Sequence, residues 1–106
     1  DEGENKKALE EFERISSEYP LASEPLFYLG SLYYNNDEIE KAIEKLERAV
    51  WLSPAYSNAR FILALCYEKK GELEKALNEL LVVQQFNPEN PILLEKIEQI
   101  KANLGK

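Results

Sequence analysis

Residues 26–54 read LFYLGSLYYNNDEIEKAIEKLERAVWLSP, and this stretch decides the fold. Its large apolar residues recur at intervals of three and four, which predicts one buried face on each of two amphipathic helices. Those residues are Leu26, Leu29 and Tyr33 on the first helix, then Ile39, Ile43, Leu46 and Val50 on the second. Only residues 35–37 separate the helices, so the second must fold back antiparallel to the first. Gly30 and Ala42 have little or no side chain, which lets the two axes approach closely.

The same pattern returns every 34 residues along the chain. Each of three equivalent alanines is followed by a large apolar residue and then by a proline, at a constant spacing: Ala8, Phe12 and Pro20, then Ala42, Leu46 and Pro54, then Ala76, Leu80 and Pro88. The motif Leu-Gly-x-x-Tyr at residues 29–33 has its counterpart, Leu-Ala-x-x-Tyr, at residues 63–67. Self-similarity at a fixed period of this length indicates a helical repeat protein.

These residues and their spacing resemble the tetratricopeptide repeat family, whose signature runs through a large residue, Leu-Gly, Tyr, Ala, Phe and Pro over 34 residues. The resemblance covers essentially the whole chain. Each complete repeat departs from the signature at a few positions. In the first, Leu26 replaces the aromatic residue and Leu46 replaces the Phe. In the second, Arg60 replaces the aromatic residue, Ala64 the Gly and Leu80 the Phe. The resemblance implies an all-α fold, an α-solenoid of antiparallel helix pairs in a right-handed superhelix of about six helices.

We interpret residues 1–106 as a single domain with a half repeat, two complete repeats and a C-terminal capping helix, at residues 1–22, 23–56, 57–90 and 91–106. The predicted helices are approximately Glu4–Glu18, Ser23–Asn35, Glu38–Leu52, Ser57–Lys70, Glu72–Phe86 and Pro91–Leu104. Asn90 before Pro91 predicts an N-cap for the last of them. In that helix Glu98 and Lys101 occupy positions of close helix contact, which favours a capping role. The first helix has no partner in its pair, so its apolar flank is expected to be open.

Acidic residues outnumber basic ones, and the formal net charge is −7, with 13 basic and 20 acidic side chains. This balance disfavours binding to nucleic acid and to anionic membranes, which attract clusters of Lys and Arg. All of the excess precedes Pro54, which favours a basic partner or simply a solvated acidic surface. No stretch resembles a signal peptide or a transmembrane segment, so no compartment is predicted. The absence of methionine makes the chain look like a fragment of a longer protein.

Nothing in the sequence indicates catalysis, a metal site or a cofactor. The chain has no histidine, which removes the usual general base and imidazole ligands, and it has no phosphate-binding loop. Paired carboxylates are expected on solvated helix faces beside lysines. The single cysteine, Cys66, lies between apolar residues and is predicted to be a core side chain. We therefore predict that this domain is not an enzyme.

The resemblance implies that the first helix of each pair lines a concave binding groove. The inner-face residues are Glu24, Phe27, Tyr28, Ser31, Tyr34 and Asn35 on one helix, Asn58, Phe61, Ile62, Leu65, Glu68 and Lys69 on the next, and Ile92, Glu95, Lys96 and Gln99 on the capping helix. These side chains are mainly aromatic and aliphatic, which suits an apolar or amphipathic peptide segment. Phe27 and Phe61 are open to two interpretations, ligand contact or helix packing. Ile62 and Leu65 are more informative, because their counterparts one repeat earlier differ from them.

One subgroup of the family binds acidic C-terminal tails of heat-shock chaperones through basic and amide side chains on these faces. The two positions that would hold Lys and Arg hold Asn58 and Ile62 here, and the position of the asparagine holds Ser31. Chaperone-tail binding is therefore not expected.

Val50 and Trp51 are polar in the other repeats, where serine and glutamine stand in their place. They are predicted to form a secondary contact on an outer or inter-repeat surface, or else to pack locally against Tyr56. Tryptophan is enriched at interfaces and also highly buried on average, so both alternatives stay open.

The sequence thus predicts a non-catalytic scaffold that binds a protein or peptide partner through a largely apolar groove. Two alternatives remain. The chain is an accessory domain of a larger enzyme, or it is a homo-oligomerisation module that associates through its open N-terminal end.

Overall fold

The computed structural model describes residues 2–105. These residues form six helices, α1 Glu2–Glu18, α2 Ser23–Asn35, α3 Ile39–Leu52, α4 Ser57–Lys69, α5 Leu73–Phe86 and α6 Pro91–Asn103, and they contain no strand. The predicted all-α fold and the predicted number of helices are confirmed. Seven of the twelve predicted helix ends match the structure, and the other five differ by one or two residues. For example, α3 and α5 begin one residue later than predicted, with Glu38 and Glu72 at their N-cap positions.

The turns between paired helices share one backbone conformation. Asp37 has a φ of 62° and Gly71 a φ of 78°, both in the left-handed region, and Gly105 after α6 has a φ of 77°. In the first two turns, the amide of the residue after Asp37 or Gly71 donates a hydrogen bond to the backbone carbonyl five residues before it, at 2.8 and 2.9 Å. Glycine adopts this conformation at no steric cost, and aspartate tolerates it better than most residues. The turn that reverses the chain therefore recurs at the period of the repeat.

Contacts between Cα atoms divide the chain into two compact units, with the division between Pro54 and Ala55. The first unit contains α1 to α3 and the second contains α4 to α6. The division lies two residues before the predicted boundary between the two complete repeats.

In the first unit, α2 packs against α3 and α1 packs against α2. The interface of α2 and α3 is the core, with Leu26, Leu29, Gly30, Tyr33, Ala42, Ile43, Leu46 and Ala49 buried. A hydrogen bond of 2.7 Å from Ser53 Oγ to Ser23 Oγ joins the end of α3 to the start of α2. No residue of α1 is fully buried; its apolar residues Leu9, Phe12 and Ile15 are half-buried.

The closest approach of α2 to α3 is at Gly30. A Cβ atom added there would lie 2.7 Å from Cδ2 of Leu46 and closer still to its Cγ. Leu46 is fully buried, so it has no free space into which to move. The small residue expected at this crossing is therefore a steric requirement of the fold.

In the second unit, α5 packs against both α4 and α6. The core consists of Ala59, Leu63, Ala64, Cys66, Tyr67, Ala76, Leu77, Leu80, Val83, Leu93, Ile97 and Ile100. Arg60, which stands where the repeat signature has an aromatic residue, reaches Glu79 with its Nη1 atom 2.7 Å from Oε1. Their side chains are only 16% and 19% exposed. An ion pair between α4 and α5 thus occupies the place of an aromatic contact.

Asn90 caps α6 as predicted. Its Oδ1 atom accepts hydrogen bonds from the amides of Ile92 at 3.0 Å and Leu93 at 3.1 Å, and Pro91 follows at the first helical position. These bonds satisfy two amides that have no partner within the helix.

Replacing Asn90 by alanine should lower the free energy of unfolding by about 0.5–2 kcal/mol, because both amides lose their acceptor. Urea unfolding followed by circular dichroism at the helix band measures the change. Asn87→Ala is the matched control, since Asn87 lies at the end of the preceding helix and should change stability by less than about 0.5 kcal/mol. Equal effects of the two substitutions would contradict the capping role.

Cys66 is fully buried, which confirms its interpretation as a core side chain. Burial raises the pKa of its thiol from 9.0 to about 11, and the positive charge of Lys69 opposes this rise only in part. Because the thiolate is the reactive form, the native thiol should be inert at neutral pH.

We expect iodoacetamide to alkylate native Cys66 at least about 100-fold more slowly at pH 8 than it alkylates the urea-unfolded chain, since fewer native thiols are ionised. The folded-state pKa lies above the unfolded one, so the neutral thiol stabilises the fold fully below about pH 9. This contribution is lost as the pH rises from about 9 to about 11. Cys66→Ala should lack this part of the alkaline loss of stability, as measured by urea unfolding across that pH range. Similar alkylation rates in the native and unfolded chains would contradict the burial.

Candidate functional site

The predicted inner-face residues of the first unit lie on the side of α2 that is opposite its core. The residues of α2 at core positions are buried, whereas none of Glu24, Phe27, Tyr28, Ser31, Tyr34 and Asn35 is buried. They follow one another at steps of three and one residues, which is the i, i+3, i+4 spacing of one continuous helix face. The first unit therefore presents one accessible surface on α2, and Tyr28, at 42% exposed, is its most accessible aromatic ring.

An aromatic cluster stabilises this surface. Tyr28 stacks on Phe12 of α1 with ring centroids 5.1 Å apart and an angle of 24° between the planes. The ring of Phe27 lies 5.3 Å from that of Tyr28, tilted by 57°. The sequence pattern assigned Phe12 to the helix-packing position of its repeat, and nothing in that pattern indicated that it would support an inner-face side chain.

The position of α1 against α2 is fixed by a second contact. The hydroxyl of Tyr33 donates a hydrogen bond to Oε2 of Glu13 at 3.1 Å. Burial raises the pKa of Tyr33, and the hydrogen bond and negative charge of Glu13 raise it further. Tyr33 therefore stays protonated and keeps its donor, so α1 carries Phe12 to Tyr28 in a defined register.

Ser31 contributes a buried polar atom to the same helix. Its Oγ atom is inaccessible to solvent and has no hydrogen-bond partner among the residues that the structure describes. A buried hydroxyl without a partner is costly, so Ser31 lowers the stability of the first unit at this position.

The inner-face residues of the second unit lie on α4 and α6. None of Asn58, Phe61, Ile62, Leu65, Glu68 and Lys69 on α4 is buried, and neither is any of Ile92, Glu95, Lys96 and Gln99 on α6. Ile92 is 69% exposed. The equivalent positions in the earlier repeats hold polar residues, so an exposed apolar side chain is particular to α6. The second unit therefore exposes Ile92 on α6 and leaves Ile62 and Leu65 on α4 half-buried.

An ion pair joins the two helices of this second surface. Nζ of Lys96 lies 3.0 Å from Oε1 of Glu68, and both side chains are about three-quarters buried. The amide of Gln99 donates to Oε1 of Glu95 at 3.4 Å. The structure thus brings Glu68 of α4 and Lys96 of α6 together, and their charges neutralise each other.

Val50 and Trp51 lie on α3 of the first unit. Val50 is half-buried, whereas the Trp51 indole is 71% exposed, with the guanidinium carbon of Arg48 5.1 Å from its ring centroid. This exposure favours the surface contact over local packing against Tyr56, and the contact stays a prediction.

Over residues 2–105, no three His, Cys, Asp or Glu side chains are placed to hold a metal ion. No helix in this range is both long enough and apolar enough to cross a membrane.

Antiparallel helices that carry a 34-residue signature define the class of this protein as a tetratricopeptide repeat protein. Residues 1–83 match the family model described as anaphase-promoting complex, cyclosome, subunit 3. The chain belongs to this family of repeat proteins.

Solved structures share the fold. The crystal structure of MamA is 26% identical over 95% of this chain, with a TM-score of 0.90, and this chain spans only 59% of MamA. The first repeat domain of Spaghetti (RPAP3), bound to an HSP90 peptide, is 18% identical with a TM-score of 0.93, and the match covers 99% of this chain and 83% of that one. The Yersinia enterocolitica chaperone SycD, in complex with a peptide of the translocator YopD, is 20% identical with a TM-score of 0.87, over 96% of this chain and 83% of that one. A search of curated proteins found no match.

Proposed function

We propose that this chain is a non-catalytic scaffold that binds a protein or peptide partner through the inner-face surfaces of its two units. The observation that carries the proposal is on α4, where Phe61, Ile62 and Leu65 lie on one face of the helix and are only half-buried. Apolar side chains that a unit does not bury in its own core are available to a partner. The fold is one on which RPAP3 and SycD have been solved with bound peptides, which supports a binding role.

The partner that fits these surfaces is an apolar or amphipathic segment. Four of the ten side chains of the second surface are aliphatic or aromatic, and two of its four charges, Glu68 and Lys96, neutralise each other. A strongly charged peptide would therefore gain little there, whereas an extended or helical segment with apolar anchors would bury the exposed side chains.

Replacing Phe61 by serine and Ile62 by asparagine together should weaken partner binding by more than about tenfold, because interface affinity concentrates in a few apolar anchors. The partner is first captured with the full-length protein and identified by mass spectrometry, and its affinity for both chains is then measured by calorimetry. Leu81→Ser is the matched control, since Leu81 is an exposed leucine of the same unit outside the proposed surface.

Circular dichroism and melting should be nearly unchanged in the double variant. If the variant unfolds instead, Phe61 and Ile62 are core residues, and their assignment to the second surface is wrong. If it folds and binds with full affinity, the partner binds elsewhere.

The two alternatives predict different observations. An accessory role in an enzyme predicts a second domain of different composition in the full-length sequence. Self-association through the half-buried apolar face of α1 predicts a mass in light scattering that rises with concentration.

A further inference from the structure

We propose that the inner surface of the first unit binds a positively charged amphipathic segment, in which Lys or Arg residues alternate with apolar ones. This surface consists of Phe27, Tyr28 and Tyr34 of α2 with Phe12 of α1 behind Tyr28, and we term it the aromatic surface. The inference rests on the proposed function, since it assumes a bound peptide, and it adds the chemistry of the peptide and the unit that selects it.

The net charge of the protein lies entirely on the unit that carries this surface. The sequence up to Pro54 contains six basic and thirteen acidic side chains, and the sequence after it contains seven of each. The division between the two compact units falls at the same place. A cationic partner is therefore steered to the first unit, and an anionic one is repelled by it.

Most basic side chains of the first unit are engaged within it. Arg14 forms ion pairs with Glu11 and, at 2.9 Å, with Glu18. Nζ of Lys41 lies 3.4 Å from Oε1 of Glu38, and Lys45 makes an equivalent pair with Glu44. Arg48 lies over the ring of Trp51. Four of the six basic side chains are thus held by partners in the unit, which leaves little to attract an anionic peptide.

Helix α2 itself has no basic residue. Its sequence is SEPLFYLGSLYYN, in which Glu24 is the only charged side chain, and Glu24 is exposed in the first turn of the helix. A carboxylate peptide laid along α2 would meet no counter-charge on that helix, whereas an ammonium or guanidinium group would meet Glu24.

The aromatic rings add a second attraction for cations. The face of a tyrosine or phenylalanine ring attracts a cation within about 6 Å of its centroid. The unit already uses this contact, since Nζ of Lys41 lies 5.7 Å from the centroid of Tyr33. Tyr28 is held by its ring contacts with Phe12 and Phe27, so a partner would lose little free energy in ordering it, and it remains 42% exposed. The same rings offer apolar area to the uncharged residues of the segment.

The inner surface of the second unit lacks this asymmetry. It carries Glu68, Glu95, Lys69 and Lys96, two charges of each sign, and Lys96 is paired with Glu68. The preference for a cationic segment is therefore assigned to the first unit alone.

A phage-displayed library of short random peptides, selected on the immobilised chain, tests the inference without a known partner. Enriched peptides should carry net positive charge together with aromatic or aliphatic residues. Synthetic copies of these peptides should bind the Tyr28→Ala and Glu24→Lys variants at least about tenfold more weakly than the unchanged chain. Their affinity for Tyr28→Phe should be unchanged. Their affinity for the chain with both Phe61→Ser and Ile62→Asn should also be unchanged. Both first-unit sites are exposed, and circular dichroism checks that the variants fold.

The other outcomes separate this inference from the proposed function. Enriched acidic peptides that depend on Phe61 and Ile62 overturn the inference and keep the scaffold. Cationic peptides that bind Tyr28→Ala with full affinity show non-specific attraction and also overturn it. Peptides that depend on neither surface overturn both proposals. A chain that dimerises in light scattering, and becomes monomeric on Tyr28→Ala, has a second copy as the occupant, which contradicts a cationic segment.

Discussion

Replacing Leu46 by alanine should lower the free energy of unfolding by about 2–5 kcal/mol. Leu46 is fully buried at the point where α2 and α3 cross, and it fills the space that Gly30 leaves open. Alanine removes three carbon atoms from this contact and leaves a cavity that two rigid helices cannot close. Urea unfolding monitored by circular dichroism measures the loss.

Leu21 provides the control for this substitution. It is also a leucine of the first unit, but it is 76% exposed in the loop between α1 and α2. Leu21→Ala should change stability by less than about 0.5 kcal/mol. If the two substitutions have similar effects, the interface of α2 and α3 does not form the core of this unit.

Replacing Gly30 by valine should destabilise the protein by about 1–3 kcal/mol or more, even though valine has the higher helix propensity of the two. The added Cβ atom would overlap Leu46, which lies within the core and cannot move into solvent. The helices must then separate, and the other buried contacts between them weaken. The same unfolding measurement gives the magnitude.

Combining Gly30→Val with Leu46→Ala tests the cause of both effects. The valine side chain should partly fill the cavity that the alanine leaves, so the double variant should be more stable than the sum of the two single effects predicts. A coupling of about 0.5–3 kcal/mol is expected for residues in direct contact. Strict additivity would show that Gly30 is required for a reason other than its contact with Leu46.

The core was predictable from the sequence because its signal is periodic. Leu29, Tyr33, Leu46 and Leu63 repeat at helical spacing and again at 34 residues, and each is buried as expected. Cys66 was predictable from its apolar neighbours. A fold whose elements contact mainly their neighbours in sequence is well determined by such local patterns.

Contacts that do not repeat were beyond the sequence pattern. The pairing of Arg60 with Glu79 replaces an aromatic contact and depends on one residue from each of two helices. The support of Tyr28 by Phe12 likewise depends on how α1 lies on α2. The pattern also left the role of Trp51 open, because exposure is set by packing and not by residue type. The candidate inner face was predictable only through the family resemblance, and its residues remain a proposal.

The recurring left-handed turn has a consequence for protein engineering. Residues 37, 71 and 105 share one backbone conformation, with φ angles of 62°, 78° and 77°. A segment excised between two such positions has ends of matching geometry, so it can be duplicated or exchanged without creating a new kind of joint. Asp37 is the one position of the three that is not glycine. Replacing Asp37 by glycine would remove the strain of a side chain in this conformation and would make the three joints equivalent.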